Sequence, residues 1–142
     1  MARPHPSKAP TPGFSLIELL TVIAVLALLT VAAVASYGSS MVKTRRGAAE
    51  GCLLESAQVM ERAYTINMTY AGVDFPDLAC ASELADHYTF GFSGTPDGTS
   101  YTVRAVPIDA QLSSDTRCGT LTLDQAGTKT ESGSADNIAE CW

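Results

Sequence analysis

Apolar residues dominate the chain from residue 14 to residue 42, and one charged side chain, Glu18, interrupts them. The 24 residues from Leu19 to Val42 contain no Asp, Glu, Lys or Arg. Since about 20 apolar residues are enough for a helix to cross a bilayer, this stretch predicts one membrane-spanning helix. A carboxylate is costly inside hydrocarbon, so Glu18 is a candidate functional residue.

After this stretch, small and apolar residues recur at intervals of three and four, with charged residues largely between them. The recurring positions are Ala49, Cys52, Leu53, Ser56, Val59, Met60, Ala63 and Ile66. This spacing is typical of an amphipathic helix that buries one face. We therefore expect one helix from about Phe14 to about Ile66, apolar on all sides in its first half and amphipathic in its second.

The second half of the chain has the alternation and the turn residues of short strands. Three stretches alternate in this way: Tyr88–Phe92, Ser100–Val106 and Gly119–Leu123. A helical turn is expected near Ser82–Ala85. Pro96-Asp97-Gly98 predicts a turn in which Gly98 permits a positive φ, and Gly127 predicts a turn after the third strand. The expected fold class is α+β, with the long N-terminal helix packed on a small antiparallel sheet of three strands.

The start of the apolar stretch carries a recognisable motif. Gly13-Phe14-Ser15-Leu16-Ile17-Glu18-Leu19 resembles the processing motif of type IV prepilins and related pseudopilins. In that family a prepilin peptidase cleaves after the glycine, and the new N-terminal phenylalanine is methylated. The resemblance implies cleavage between Gly13 and Phe14. It also implies that Glu18, at the fifth position of the processed chain, supports filament assembly.

Cleavage at this motif would divide the chain into three parts. These are a leader at 1–13, a hydrophobic transmembrane and assembly half of the helix at 14–42, and a globular pilin domain at 43–142 that includes the amphipathic half. Prolines in the leader oppose a regular helix there. The N-terminal ammonium of a neighbouring subunit is a candidate partner for Glu18, because an unpaired charge in an apolar core costs far more than a paired one.

Later stretches resemble PilE-like minor pilins, so that the resemblance covers nearly the whole chain. They are residues 57–65, Thr69-Tyr70, residues 117–124 and Cys141-Trp142. The resemblance implies the type IV pilin fold and a structural subunit of a type IV pilus, a minor pilin that joins the fibre or primes its assembly. Adhesion, twitching motility or DNA uptake is implied for the fibre. The implied partners are the prepilin peptidase, other pilin subunits through helix packing, and the inner membrane before assembly.

Two positions depart from the family pattern. Ala27 and Ala35 stand where the family usually has a glycine and a proline. Family filaments can loosen their helix near that proline, and Ala35 supplies no such break.

Four cysteines, Cys52, Cys80, Cys118 and Cys141, allow three pairings, and their spacing alone does not choose among them. The resemblance favours Cys52–Cys80 and Cys118–Cys141, the second closing a segment like the D-region of pilins. All four follow the apolar stretch, which indicates that the domain lies in an oxidising compartment outside the cytoplasm. The resemblance implies that this location is first the inner membrane and then the extracellular pilus. No Cys-x-x-Cys pair is present, so we expect no metal site and no cofactor.

Charge and histidine content narrow the function further. Without residues 1–13 the chain has 9 − 2 = 7 basic and 15 acidic side chains, a net charge of −8. This balance argues against general nucleic-acid binding, whose affinity comes mainly from neutralising phosphates. His87 is the one histidine that remains after processing, so acid–base catalysis has little support and we expect no enzyme.

Three alternatives stay open at this point. A pseudopilin of a type II secretion system would share the leader and helix, and a DNA-binding or adhesive pilin would need a ligand site at its tip. An ordinary secretory signal would be cut before Ser36, after Ala33-Val34-Ala35. Arg45 and Arg46, which follow the apolar stretch, are expected to contact lipid head groups, acidic residues of neighbouring subunits, or solvent alone.

Overall fold

The computed structural model describes residues 13–142, except for the side chain of Ala35. Of the predicted leader, all but Gly13 lies outside the described residues. The elements in chain order are α1 (Leu16–Asn67), α2 (Ala79–Glu83), β1 (Tyr88–Phe92), β2 (Thr102–Pro107), α3 (Asp109–Ser114), β3 (Leu121–Asp124), β4 (Lys129–Glu131) and a short 3-10 helix (Ile138–Glu140).

The long helix α1 agrees closely with the predicted range. The described chain divides into two compact units between Tyr37 and Gly38, so the helix contributes to both. In the first unit the large apolar side chains are mostly exposed; Phe14 is 83% exposed and Val34 is 67% exposed. By length and composition, α1 is the one described helix that could cross a membrane.

In the second unit, α1 buries the face that its sequence pattern predicts. Ala49, Leu53 and Met60 are fully buried, and the charged positions between them stay at or near the surface. The inward residues of the sheet pack with them in one core cluster, which includes Val103 and Leu121. Burial of these apolar surfaces is the main term that stabilises so small a domain.

The sheet has four antiparallel strands in the order β1-β2-β3-β4. In its register, Phe90 pairs with Ala105, Ala105 with Leu121, and Leu121 with Glu131. The prediction of three strands was therefore short by one. β4 is a three-residue edge strand of sequence Lys-Thr-Glu, and nothing in so short and polar a stretch predicts a strand.

Smaller elements also differ from the predictions. The helical turn expected near Ser82–Ala85 is α2, which lies about three residues earlier, at Ala79–Glu83. Helix α3 was not predicted. Its first residue, Asp109, has a φ of 49°, which is unusual for a residue other than glycine.

Two turns were predicted from glycine positions, and they compare differently with the structure. Gly127 has a φ of 77° and turns the chain between β3 and β4, as predicted. In the β1–β2 loop the chain turns after Pro96 as predicted, with the Asp97 N–H donating to the Ser100 carbonyl at 2.9 Å, but the positive φ belongs to Gly94, at 87°, and not to Gly98. The Asp97 carboxylate shapes that turn instead, because it accepts hydrogen bonds of 2.7 Å from the backbone N–H groups of Thr99 and Ser100. These bonds lower the pKa of Asp97.

Candidate functional site

The predicted processing and assembly residues lie at the start of α1. Gly13 and Phe14 precede the helix, and the backbone N–H groups of Glu18 and Leu19 donate to the carbonyl of Ser15 at 3.1 and 3.2 Å. Glu18 is exposed in the first turn, where the helix dipole favours a negative charge. Among the ion pairs of residues 13–142 none involves Glu18, so its carboxylate is available to a group outside the protomer.

Two disulfides tie the second unit together. Cys52 on α1 is bonded to Cys80 on α2, with 5.7 Å between their Cα atoms. Cys118, just before β3, is bonded to Cys141 at 5.4 Å. This is the pairing that the resemblance favours. The second bridge encloses β3, β4 and the 3-10 helix, and we call residues 118–141 the C-terminal segment.

Side chains around this bridge hold the C-terminal segment at both ends. The Trp142 indole N–H donates to the carbonyl of Thr130 at 3.1 Å, and the Lys129 ammonium lies 4.9 Å from the centre of the Trp142 rings. Arg117 forms an ion pair with Glu140. The edge strand β4 is thus partly covered by the end of the chain, which protects an edge that would otherwise offer free backbone groups.

A buried polar cluster connects α1 to α3 and β1. The Arg46 guanidinium donates to Asp115 Oδ1 at 2.5 Å, and only 4% of the Asp115 side chain is exposed. The Gln111 amide nitrogen lies 3.1 Å from the carbonyl oxygen of Val42, 2.9 Å from the Tyr88 hydroxyl and 3.2 Å from Asp115 Oδ2. A carboxylate this deep needs such partners, because an unpaired buried charge is strongly destabilising.

This cluster changes the interpretation of Arg46 and was not predicted from the sequence. Within the protomer Arg46 is not left to solvent alone, since 11% of its side chain is exposed and it pairs with Asp115 of the same chain. The two residues are separated by 69 positions, and no local pattern could have paired them. The pKa of Tyr88 is raised to about 12, mainly by burial and next by the negative charge of Asp115.

A second cluster joins the middle of α1 to the sheet through one carboxylate. Glu61 Oε1 accepts hydrogen bonds from the hydroxyls of Tyr70, at 2.9 Å, and Tyr101, at 3.1 Å. The rings of Tyr70 and Tyr101 meet edge to face with centroids 4.8 Å apart. Burial, followed by the bond to Glu61, raises the pKa of Tyr70 to about 12. The loop after α1 is thereby fixed to the core.

Exposed basic residues of the second unit lie on separate surfaces. Arg104 points outward from β2, because its neighbours Val103 and Ala105 are buried, and it pairs in register with Thr122 of β3. Thr122 in turn shares a hydrogen bond with Thr130 of β4. Arg62 is exposed on α1, which packs on the other face of the sheet. Within residues 13–142 no three His, Cys, Asp or Glu side chains lie together as a metal site would require.

Comparison with known protein families shows which family this chain belongs to. The family model described as type IV minor pilin ComP, DNA uptake sequence receptor, matches residues 35–122, more than half of the chain. The chain belongs to this family of type IV minor pilins. The pilin fold and a minor pilin role in a type IV pilus are thereby confirmed, and the pseudopilin alternative is not the family that matches.

Solved structures agree with the family. A type IV pilin from Shewanella oneidensis is 31% identical, with 71% of this chain and 97% of that chain covered and a TM-score of 0.53. The non-core minor pilin PilV from Neisseria meningitidis is 24% identical over 70% of this chain and 94% of that one, with a TM-score of 0.52, and shows likeness of fold. A comparison with curated proteins found no match.

Proposed function

We propose that this minor pilin is made as a membrane-inserted precursor, is cleaved between Gly13 and Phe14, and then enters a type IV pilus through its apolar helix. One observation carries the proposal. Along the part of α1 in the first unit, the large apolar side chains have little cover among the described residues, as the 75% exposure of Leu28 illustrates. So large an apolar surface needs lipid before assembly and neighbouring helices afterwards.

Glu18 has a defined role in this proposal. It is the single acidic residue in the exposed apolar part of α1, and no basic group of the described protomer neutralises it. The N-terminal amine that cleavage creates at Phe14 of a neighbouring subunit supplies the missing positive charge. Pairing of these two groups fixes the axial position of one subunit relative to the next. The N-methylation implied for Phe14 keeps that amine basic.

The two disulfides support the proposed location. Disulfides persist in oxidising compartments, so they favour a second unit outside the cytoplasm, which we propose lies first on the inner membrane and later in the extracellular pilus. The basic residues Lys43, Arg45 and Arg46 after the apolar stretch slightly favour the opposite orientation. The disulfides are the stronger argument, because the folded domain depends on them, whereas the positive-inside rule is only a statistical tendency.

Mass spectrometry of the N-terminal peptide from membranes or sheared fibres tests this proposal. We expect a chain that begins at N-methylated Phe14. A chain that begins at Ser36 would show secretion by an ordinary signal peptide, and an intact Met1 would show a plain membrane anchor. Either of these results would contradict the assembly mechanism.

Reception of DNA is a second candidate function, favoured by the family description, which names a DNA uptake sequence receptor. Arg104 with Thr122 and Thr130 offers a positive charge and two hydroxyls on one exposed face of the sheet, the group types that contact phosphates. The expectation of no general nucleic-acid binding stays a prediction. With so few cations, we propose a site that contacts few phosphates and therefore depends weakly on salt.

Fluorescence anisotropy with labelled DNA duplexes tests this second function. The domain from Gly38 onward contains the whole core and both disulfides, so it serves as the protein component. We expect binding to a subset of sequences, and at least about a fivefold loss of affinity in Arg104→Gln, in keeping with a contact worth about 1 kcal/mol. Arg62→Gln, on the opposite layer, is the matched control. Absence of binding to any duplex, or equal losses in both variants, would contradict the proposed face.

A further inference from the structure

A charged pocket of about 650 Å³ lies in the second unit, between α1 on one side and residues 114–118 with Glu140 on the other. Lys43 and Arg46 line it from α1, and Arg117 lines it from the other side. Ser114, at the end of α3, adds a hydroxyl. The function of the pilus as described so far does not use this pocket.

The pocket concentrates positive charge in an acidic protein. The chain after residue 13 has seven basic side chains, and three of them line this one cavity. Two carboxylates, Asp115 and Glu140, also line it, so that the lining charge is 3 − 2 = +1. Asp115 is paired with Arg46 and Glu140 with Arg117, so the net positive charge of the lining comes from Lys43.

Two of the three cationic donors in this pocket, Arg46 and Arg117, are held in place before any ligand arrives. Arg46 is fixed by Asp115 and by a 3.2 Å hydrogen bond to the carbonyl oxygen of Glu140, and Arg117 is fixed by its ion pair with Glu140. The Lys43 side chain is exposed and forms no hydrogen bond or ion pair among the described residues, so its ammonium is free to bind. Side chains that are already ordered lose less entropy when a ligand binds.

The position of Lys43 in the sequence points to the ligand. Lys43 is the first charged residue after 24 uncharged ones, so in a membrane-inserted chain its ammonium falls where hydrocarbon gives way to head groups. The anions at that level are the phosphates of phospholipids. Ammonium and guanidinium groups together form the usual protein surroundings of a phosphate, and basic pockets beside membrane helices bind anionic lipid head groups.

We propose that this pocket binds the phosphate of an anionic phospholipid head group, such as that of phosphatidylglycerol, while the pilin waits in the membrane. The proposal rests on the membrane-inserted precursor described above. Lys43 supplies the free charge, while Arg46 and Arg117 supply ordered donors. The bound lipid covers the base of the domain until neighbouring subunits replace the bilayer, and it is left behind when the subunit enters the fibre.

Native mass spectrometry of the full chain from vesicles tests this site. The pilin is reconstituted in vesicles that contain phosphatidylcholine and phosphatidylglycerol, and the lipids retained on the protein are counted. We expect preferential retention of phosphatidylglycerol, and a loss of about fivefold in Lys43→Gln, since a basic residue at an anionic surface contributes about 1 kcal/mol. Arg62→Gln removes the same charge outside the pocket and serves as the control. Lys43 is exposed, so its replacement leaves the fold intact.

Each other outcome would overturn the proposal in a distinguishable way. Equal retention of both lipids by the unaltered chain, or an equal loss in Arg62→Gln, would show a nonspecific surface charge. Displacement of phosphatidylglycerol by inorganic phosphate at equal concentration would identify a site for free phosphate. If the Lys43→Gln variant retains lipid normally but is missing from sheared fibres, Lys43 contacts a neighbouring subunit instead. Vesicle flotation is measured separately, and failure to insert would refute the membrane-inserted precursor itself.

Discussion

Asp115 shows how one residue can connect three elements of a small domain. Its carboxylate binds Arg46 of α1, lies 3.2 Å from the amide nitrogen of Gln111 in α3, and accepts from the Tyr88 hydroxyl of β1 at 3.4 Å. The Oε1 atom of Gln111 is buried and has no partner among the described residues, so the cluster is not fully satisfied. Such a cluster stabilises one arrangement of the elements, because a partner that loses its contact stays buried and unpaired.

We predict that Asp115→Ala destabilises the domain from Gly38 onward by about 3 kcal/mol, because the largely buried Arg46 charge loses its closest carboxylate and keeps only Glu50, at 4.0 Å, and the Glu140 carbonyl. Urea unfolding with both disulfides intact measures the change. Asp136→Ala is the control: its carboxylate is 92% exposed and lies 3.7 Å from Arg117, so its loss costs under about 1 kcal/mol. Similar losses in the two variants would contradict the importance of the cluster.

The stability of the domain should also depend on pH through a single residue, Tyr88. The pKa of Tyr88 is raised to about 12 from its usual 10, so the folded domain favours the neutral phenol. That contribution to stability is fully present below pH 10 and is lost as the pH rises from 10 through 12. We predict a melting temperature that falls over this range, with a smaller fall in Tyr88→Phe. Identical slopes in the two proteins would show that Tyr88 does not titrate with unfolding.

At the scale of elements, the C-terminal segment is closed by a close backbone approach as well as by a disulfide. The site of a Cβ on Gly133 would lie 2.2 Å from the carbonyl oxygen of Arg117 and 2.6 Å from the backbone nitrogen of Cys118. The backbone N–H of Gly133 also donates to the carbonyl of Cys118 at 3.2 Å. Glycine is therefore required for the chain after β4 to return to the start of β3.

We predict that Gly133→Ala lowers the free energy of unfolding by about 2 kcal/mol or more, because the methyl group meets rigid backbone rather than a flexible side chain. Hydrogen exchange should show faster exchange in β3 and β4 than elsewhere. Gly91→Ala, in β1, is the control, since nothing lies within 4 Å of its Cβ position. Unchanged stability in Gly133→Ala would mean that the chain can separate there without cost.

At the scale of the whole molecule, the two units differ in what stabilises them. The second unit has its own core and two disulfides, whereas the first exposes apolar side chains that the described residues of the protomer leave largely uncovered. The protomer is therefore built to be completed by an assembly. In the proposed assembly, Glu18 is the one acidic side chain in this otherwise apolar contact.

We predict that Glu18→Ala is processed normally but enters fibres about tenfold less than the unaltered pilin, because the neighbouring N-terminal ammonium loses its partner. Immunoblots of sheared fibres and of membranes measure both steps. Gly13→Ala should block processing, and Thr21→Ala, in the next turn, should leave both steps unchanged. Full incorporation of Glu18→Ala would refute the pairing of charges.

The sequence determined the long helix, its apolar first half, three of the strands and the family, because each is written in local spacing or in a contiguous motif. Residues 14–42 predict an apolar span whatever the rest of the chain does, since hydrophobicity and helical period are local properties. The positions of Cys52 and Cys118 were known, but their partners followed from family resemblance and not from spacing.

Only the tertiary structure decided β4, the Arg46–Asp115 pair, the approach of Gly133 to Arg117 and the charged pocket. β4 exists because Lys129–Glu131 meets a partner strand across a turn, and its own sequence has little strand propensity. Arg46 and Asp115 are 69 residues apart, and a contact at that separation depends on how the elements pack. Local sequence thus fixed which segments form, whereas the packing of distant segments fixed which side chains meet.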